Sequence, residues 1–124
     1  LTVEDFREGR RFPDVVFRFG HLSGGKNIRS GEWQVTDYPY GLMIPKRIAG
    51  VLAVGRSASS IPDTLIRGRI MAMHSGQVGG MAAALAAKAG VSPGDIDIRT
   101  LQRGLLREGY HLGDAARRRE LGLR

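Results

Sequence analysis

The sequence has 124 residues, enough for one domain with one modest hydrophobic core, and it contains no cysteine. The absence of cysteine excludes disulfides, thiolate metal sites and thiol nucleophiles. A formal net charge of +7 raises nucleic acid as a partner, but the only dense basic run, Arg117 to Arg119, has no aromatic residues within it, so we favour a solvated basic surface.

No charged segment followed by an apolar one opens the chain, so no secretory signal is visible. The most apolar window, Ile70 to Ala89, contains His74, Ser75 and Lys88 and is too polar for a convincing membrane span. We therefore expect a soluble, cytoplasmic protein.

The first elements follow from local signals. Thr2 followed by Asp5 is typical of a capping box and predicts a short helix through about Gly9, and the apolar run from Val15 to Phe19 predicts a strand. Gly20 to Trp33 reads as a loop that falls one residue short of a phosphate-binding P-loop. Asn27 stands where that motif needs a Mg²⁺-binding hydroxyl, so we reject a nucleotide site there.

The middle of the chain predicts an extended segment and then a buried strand. Pro39 and Pro45 favour extended geometry from Trp33 to Pro45, with Tyr38 and Tyr40 as core or edge aromatics. The continuous apolar run Val51 to Val54, closed by Gly55, is typical of a strand buried on both faces at the centre of a sheet.

A long helix built on small residues is predicted from about Arg67 to Ala89. Small residues recur at every fourth position in two rows: Ala72, Gly76, Gly80 and Ala84, and Ser75, Gly79, Ala83 and Ala87. Because interior glycines cost a helix about 1 kcal/mol each relative to alanine, a close neighbour must compensate. Either a sheet packs against this helix, which we favour, or a cofactor lies across the strand end and the helix start.

The last elements are a turn, a helix and a tail. Gly90 is predicted to end the long helix, Ser92 to Asp95 to form a turn, and Asp97 to cap a final helix through about Glu108. Beyond Gly109 the sequence becomes polar and basic, and we expect the tail to fray.

Catalytic motifs are scarce. His21, His74 and His111 form no metal-binding pair, so no metal site is predicted, and His74 is expected to be a packed or surface residue rather than a base. The sequence contains neither a nucleophile elbow nor the dinucleotide fingerprint, and no catalytic residue can be named.

Four stretches together nevertheless resemble a known family. They are Tyr38-Pro-Tyr-Gly-Leu-Met-Ile-Pro-Lys46, Gly50-Val-Leu-Ala-Val-Gly-Arg56, Leu65-Ile-Arg67 and Gly76-Gln-Val-Gly-Gly-Met-Ala-Ala-Ala-Leu-Ala86. In order and spacing they are similar to the C-terminal end of FAD-dependent oxidoreductases of the glutathione-reductase-like type. The resemblance implies that residues 1–124 are an incomplete C-terminal piece of an α/β, Rossmann-like FAD-binding fold, and that the half that binds the pyrophosphate is a missing N-terminal half or a partner subunit.

The resemblance also implies a set of FAD contacts. Gly55 and Arg56 would lie beside the ribityl and pyrophosphate part of FAD, and Arg67 matches an arginine just before the helix. Ile70 and Met71 would offer N–H groups to negative charge at the flavin edge, whereas Gly76 and Gly80 would serve close helix packing. The substrate cannot be read from the sequence.

Two other functions stay open. The net charge of +7 allows a small basic nucleic-acid-binding module, although we consider nucleic acid an unlikely partner. The glycine and alanine helix allows a non-catalytic assembly module.

Overall fold

The computed structural model describes residues 1–20, 35–60 and 68–123. Within these ranges the chain forms α1 (Val3–Arg7), β1 (Val15–Phe19), β2 (Thr36–Pro39), α2 (Arg69–Ala89), α3 (Ile98–Arg107) and α4 (Ala115–Glu120). Short 3₁₀ turns lie at Tyr40–Met43, Gly55–Ser57 and Pro93–Asp95. The architecture is mixed α/β, and the P-loop-like segment after Gly20 lies outside the described residues.

The predicted capping box at the start of α1 is confirmed. The backbone N–H of Asp5 donates to Thr2 Oγ1 over 3.2 Å, and the Thr2 N–H donates to Asp5 Oδ2 over 2.9 Å. Arg10 Nη1 lies 2.7 Å from Asp5 Oδ1. Burial raises the pKa of Asp5, but the hydrogen bonds from Arg10 and Thr2 outweigh it and hold the pKa below the ordinary value.

The predicted strand β1 is also confirmed, and it pairs with β2 in an antiparallel sheet of two strands. Phe17 lies opposite Tyr38 and Val15 opposite Pro39, so β1 carries one extra residue between these pairs and forms a bulge. Phe17 and Tyr38 stack with ring centroids 4.3 Å apart. Tyr38 and Tyr40 are buried, as expected for core aromatics.

The sheet is covered on both sides. The main core joins Val16, Phe17 and Tyr38 to Met71 and Val78 of α2 and to residues of α1 and α3. Val15 belongs instead to a second cluster with Leu112, Leu121 and Leu123 of the tail. Alternation along β1 and its bulge therefore send neighbouring side chains into two separate cores.

Gln102 fixes α3 to the start of β1. Its side chain is fully buried, and Nε2 donates to the carbonyls of Pro13 and Val15 over 2.9 Å each. Arg99 Nη1 donates to the Gln102 Oε1 over 2.7 Å, so the amide is satisfied from both ends. The N-cap of α3 is Asp97, as predicted.

The prediction of a buried central strand at Val51 to Val54 is wrong. Val51 and Val54 are 47% and 37% exposed, and the segment is not part of the sheet that the described residues form. Ala53 N–H donates to the Met43 carbonyl over 2.8 Å, which ties the segment to the preceding turn. A strand at a sheet centre needs pairing along both edges, and within residues 1–20, 35–60 and 68–123 the sheet contains β1 and β2 alone.

Of the two small-residue rows of α2, the row that contains Gly76 and Gly80 does not face the core, whereas Ser75 and Gly79 of the other row are buried. The buried positions are Met71, Ser75, Val78, Gly79, Ala82 and Ala86, whereas Gly76 and Gly80 are exposed with open space where a Cβ would stand. The expectation that these two glycines serve close packing is therefore wrong for this chain. Gly79 has that role, because a Cβ there would lie 2.6 Å from Val54 Cγ1.

The tail does not fray. Asp114 caps α4, and Leu112, Leu121 and Leu123 are buried. Arg117 Nη2 reaches the Asp37 carboxylate over 3.1 Å, and Arg18 Nε approaches the same buried group over 3.0 Å. Apolar burial and a neutralised buried carboxylate together hold the tail against the sheet.

Candidate functional site

The turn at Gly55 is fixed directly to the first turns of α2. Gly55 has a φ of +60°, a left-handed conformation that residues with a Cβ adopt only at a cost. Its N–H donates to Ser75 Oγ over 2.8 Å, and the same hydroxyl donates to the Ala72 carbonyl over 3.0 Å. A Cβ at Gly55 would stand 3.6 Å from Ala72 Cβ, so backbone and helix are in close contact.

Arg56 is presented outward by this turn. The turn closes with the Ser57 N–H bonded to the Val54 carbonyl over 3.2 Å and the Ala58 N–H bonded to the Gly55 carbonyl over 3.3 Å. Ser57 is therefore a turn residue, and Arg56 is exposed. An exposed guanidinium beside a backbone turn is suited to donating to phosphate or hydroxyl oxygens.

The start of α2 offers backbone donors. Gly68 is its N-cap, and within the described part of the chain no side chain caps the helix. The N–H groups of Arg69, Ile70 and Met71 have no acceptor within the helix, because the first such bond runs from Ala72 N to the Gly68 carbonyl over 3.0 Å.

The predicted contact residues at this helix start differ in what they present. Ile70 is 55% exposed, and its N–H has no acceptor within the helix. The Met71 side chain is buried, and its Cε would lie 2.9 Å from a Cβ at Gly68. Met71 can therefore contribute only its backbone N–H.

The local charge favours an anion. The first turn of α2 contains no acidic residue, and Arg69 and Arg56 are both exposed. Positive charge from the helix dipole is therefore not offset within this turn. The predicted contact Arg67 lies outside the described residues.

Sequence reasoning missed the residue that holds the two parts together. Ser75 was counted only as a small residue in a packing row, but it is fully buried and bonded to both Gly55 and Ala72. The available signal was a serine placed among the larger apolar residues Met71, Val78 and Ala82 on one helix face.

Two further features bear on the chemistry. Across residues 1–20, 35–60 and 68–123 no cluster of three or more His, Asp or Glu side chains could hold a metal ion. In the same ranges, no helix is both long enough and apolar enough to cross a membrane.

Comparison with known proteins gives one family match. Residues 1–105 match the family model described as FAD dependent oxidoreductase. No curated protein and no solved structure gives a significant match to the chain. The matched range includes the Gly55 turn and all of α2 but stops before α4.

Proposed function

The chain belongs to the FAD dependent oxidoreductase family, and we propose that it forms the C-terminal segment of a glutathione-reductase-like member. The observation that supports a flavin site most directly is the 2.8 Å hydrogen bond from Gly55 N–H to Ser75 Oγ. This bond holds the left-handed turn, and with it the adjacent Arg56, against the N-terminal half of α2. When bound there, FAD would supply the acceptor for a hydride or electron pair.

The chain's own residues would bind and polarise that cofactor. Gly55 lets the backbone approach closely, and Arg56, with Arg67 before the helix, supplies donors for the pyrophosphate and ribityl part. The N–H groups of Ile70 and Met71 and the dipole of α2 would stabilise negative charge at the flavin edge. The fit is good for backbone and charge, since no described side chain caps the start of α2 and its first turn contains no acidic residue.

We also propose that the half that binds the pyrophosphate packs on the uncovered face of α2 and on the segment before Gly55. Met73 is 75% exposed and Val51 is 47% exposed, and a Cβ at Gly80 would meet nothing within 4 Å. An uncharged helix face bordered by exposed apolar side chains can be approached closely by another element. This partner can be a longer form of the chain or a separate subunit.

The test is retention of flavin. The chain is incubated with FAD, alone and with the complementary half of a family member, free cofactor is removed, and the visible absorbance spectrum is recorded. We expect retained flavin bands in the mixture, weakened by Arg56→Ala and not by Arg119→Ala, which removes the same charge from the exposed side of α4.

The proposed packing of the complementary half on the uncovered face of α2 is tested separately. Gly80→Leu should reduce copurification with the complementary half without lowering the unfolding temperature of the isolated chain, because a Cβ at this site meets no described residue and leucine forms helix better than glycine. If a folded chain retains no flavin in either sample, the flavin site is refuted. Salt-sensitive nucleic acid binding or self-association would then become the function to test.

A further inference from the structure

A cleft lies on the opposite side of α2 from Gly55. It has a volume of about 350 Å³ and is lined by side chains that include Phe17, Arg18, His74, Gln77, Glu108 and Tyr110. That volume is within the range of small-molecule sites. At about 100° per helical residue, His74 and Gln77 lie about 160° around the helix from Ala72 and Ser75, which face Gly55. The cleft is therefore separate from the candidate flavin site.

Aromatic rings form one wall of this cleft. The His74 ring lies 5.5 Å from the Phe17 ring and 5.3 Å from the Tyr110 ring, which it meets edge-on at 77°. Gly109, with a φ of +84°, reverses the chain after α3, and the Tyr110 N–H donates back to the Leu105 carbonyl over 3.0 Å. The backbone thus holds Tyr110 against α2, and the wall is preformed.

The hydrogen bonds in the cleft determine which nitrogen of His74 carries hydrogen. The Tyr110 hydroxyl donates its single hydrogen to Gln77 Oε1 over 2.8 Å. His74 Nδ1 lies 3.3 Å from the same hydroxyl oxygen. With the Gln77 amide in this orientation, that oxygen has no second hydrogen to give, which assigns Nδ1 as the donor and leaves an unshared electron pair on Nε2 of the neutral ring.

Tyr110 keeps its hydrogen at neutral pH. Burial raises the pKa of its hydroxyl, and the negative charge of Glu108 raises it further. The pattern Nδ1–H to Tyr110 to Gln77 is therefore stable, and it leaves an acceptor at Nε2.

We infer that this cleft binds a small, neutral aromatic molecule that carries an O–H or N–H group. The donor bonds to Nε2 of His74, and the ring packs against the wall formed by Phe17 and Tyr110. A neutral ligand fits because Arg18 and Glu108 contribute opposite charges to the lining. Phenol is the simplest probe of this class.

The first test measures the tautomer of His74 in the full chain by nitrogen-15 NMR of the histidine rings at pH 8, where an ordinary imidazole is neutral. We expect hydrogen on Nδ1 and none on Nε2. Tyr110→Phe removes only the hydroxyl and should move hydrogen to Nε2 in a large share of molecules. Hydrogen on Nε2 in the wild-type chain overturns the inference.

The second test compares phenol with anisole, which has the same ring but no hydrogen-bond donor. Both are titrated while the His74 ring signals are followed. We expect phenol to bind about 2- to 10-fold more tightly, the range that one hydrogen bond provides. His74→Asn, which can still donate to Tyr110 but has no atom at Nε2, should remove this preference, with circular dichroism showing that the variant is folded. Equal affinities, or no change at His74 in excess phenol, refute the site whether or not the chain binds FAD.

Discussion

Replacing Ser75 by alanine should loosen the Gly55 turn from α2. The serine is fully buried, and its hydroxyl accepts from Gly55 and donates to the Ala72 carbonyl. Without it the part-buried Gly55 N–H has no acceptor, which costs about 1–3 kcal/mol. Alanine forms helix better than serine by about 0.5 kcal/mol. The net expectation is a loss of about 0.5–2.5 kcal/mol in the free energy of unfolding.

Urea unfolding followed by circular dichroism measures this loss. The midpoint should fall while the slope with urea stays constant, since the surface exposed on unfolding is nearly the same. Gly76→Ala, on the open side of the same helix, is the matched control and should stabilise the chain by up to about 1 kcal/mol. If Ser75→Ala is neutral or stabilising, the bond does not hold the turn and the argument for the Gly55 surface fails.

Two other changes test the rest of the fold. Asp37→Ala removes a carboxylate that is 1% exposed, so that Arg18 loses its partner and Arg117 is left with the half-exposed Glu120. The unfolding free energy from urea titration should therefore fall by about 3 kcal/mol or more, and a loss under about 1 kcal/mol would mean that the pairs behave like surface pairs. The pKa of Asp5 is lower in the folded chain than its ordinary value of 3.8, so the ionised carboxylate stabilises the fold. This stabilisation is fully present above pH 3.8 and is lost as the pH falls through the lower pKa of the folded chain. The stability difference between wild type and Asp5→Asn should accordingly shrink between pH 6 and pH 3 in thermal unfolding, and a constant difference would contradict the shift.

Local signals in the sequence predicted the elements whose cause is local. The capping box at Thr2 and the Asp97 cap both depend on side chains within three residues, and Gly90 ends α2 in the left-handed conformation expected of it. The start of α2 was misplaced by two residues. That error is typical of helix ends.

Features that depend on distant partners could not be predicted in the same way. The run Val51 to Val54 has the same composition whether it pairs in a sheet or lies exposed, and only the pairing of β1 with β2 decides between them. The packed face of α2 was predicted from its small residues, whereas the larger side chains of Met71 and Val78 determine which face is buried. In the tail, an arginine-rich stretch separates Leu112 from Leu121 and Leu123 in the sequence, so the cluster that these leucines form in the fold could not be predicted.

The site was predicted in part. The family resemblance named Gly55, and its φ of +60° explains why a glycine is required there. The anchoring role of Ser75 and the chain of hydrogen bonds from His74 to Gln77 arise from contacts between residues 20 to 36 positions apart. Periodicity and composition contain no information about such contacts.

The link from Arg117 to the sheet has a consequence for synthesis of the chain. Arg117 Nη2 donates to the Phe12 carbonyl over 2.9 Å as well as to Asp37, so a residue made late satisfies groups made early. Until Arg117 has been added, the described partners of the buried Asp37 carboxylate are Arg18 and the Phe12 N–H. Contacts of such long range slow folding, and they make the stability of the first strand depend on the end of the chain. A nascent or prematurely terminated chain that stops at α3 would therefore expose the β1 and β2 pair to proteolysis and aggregation, rather than merely lose a short helix.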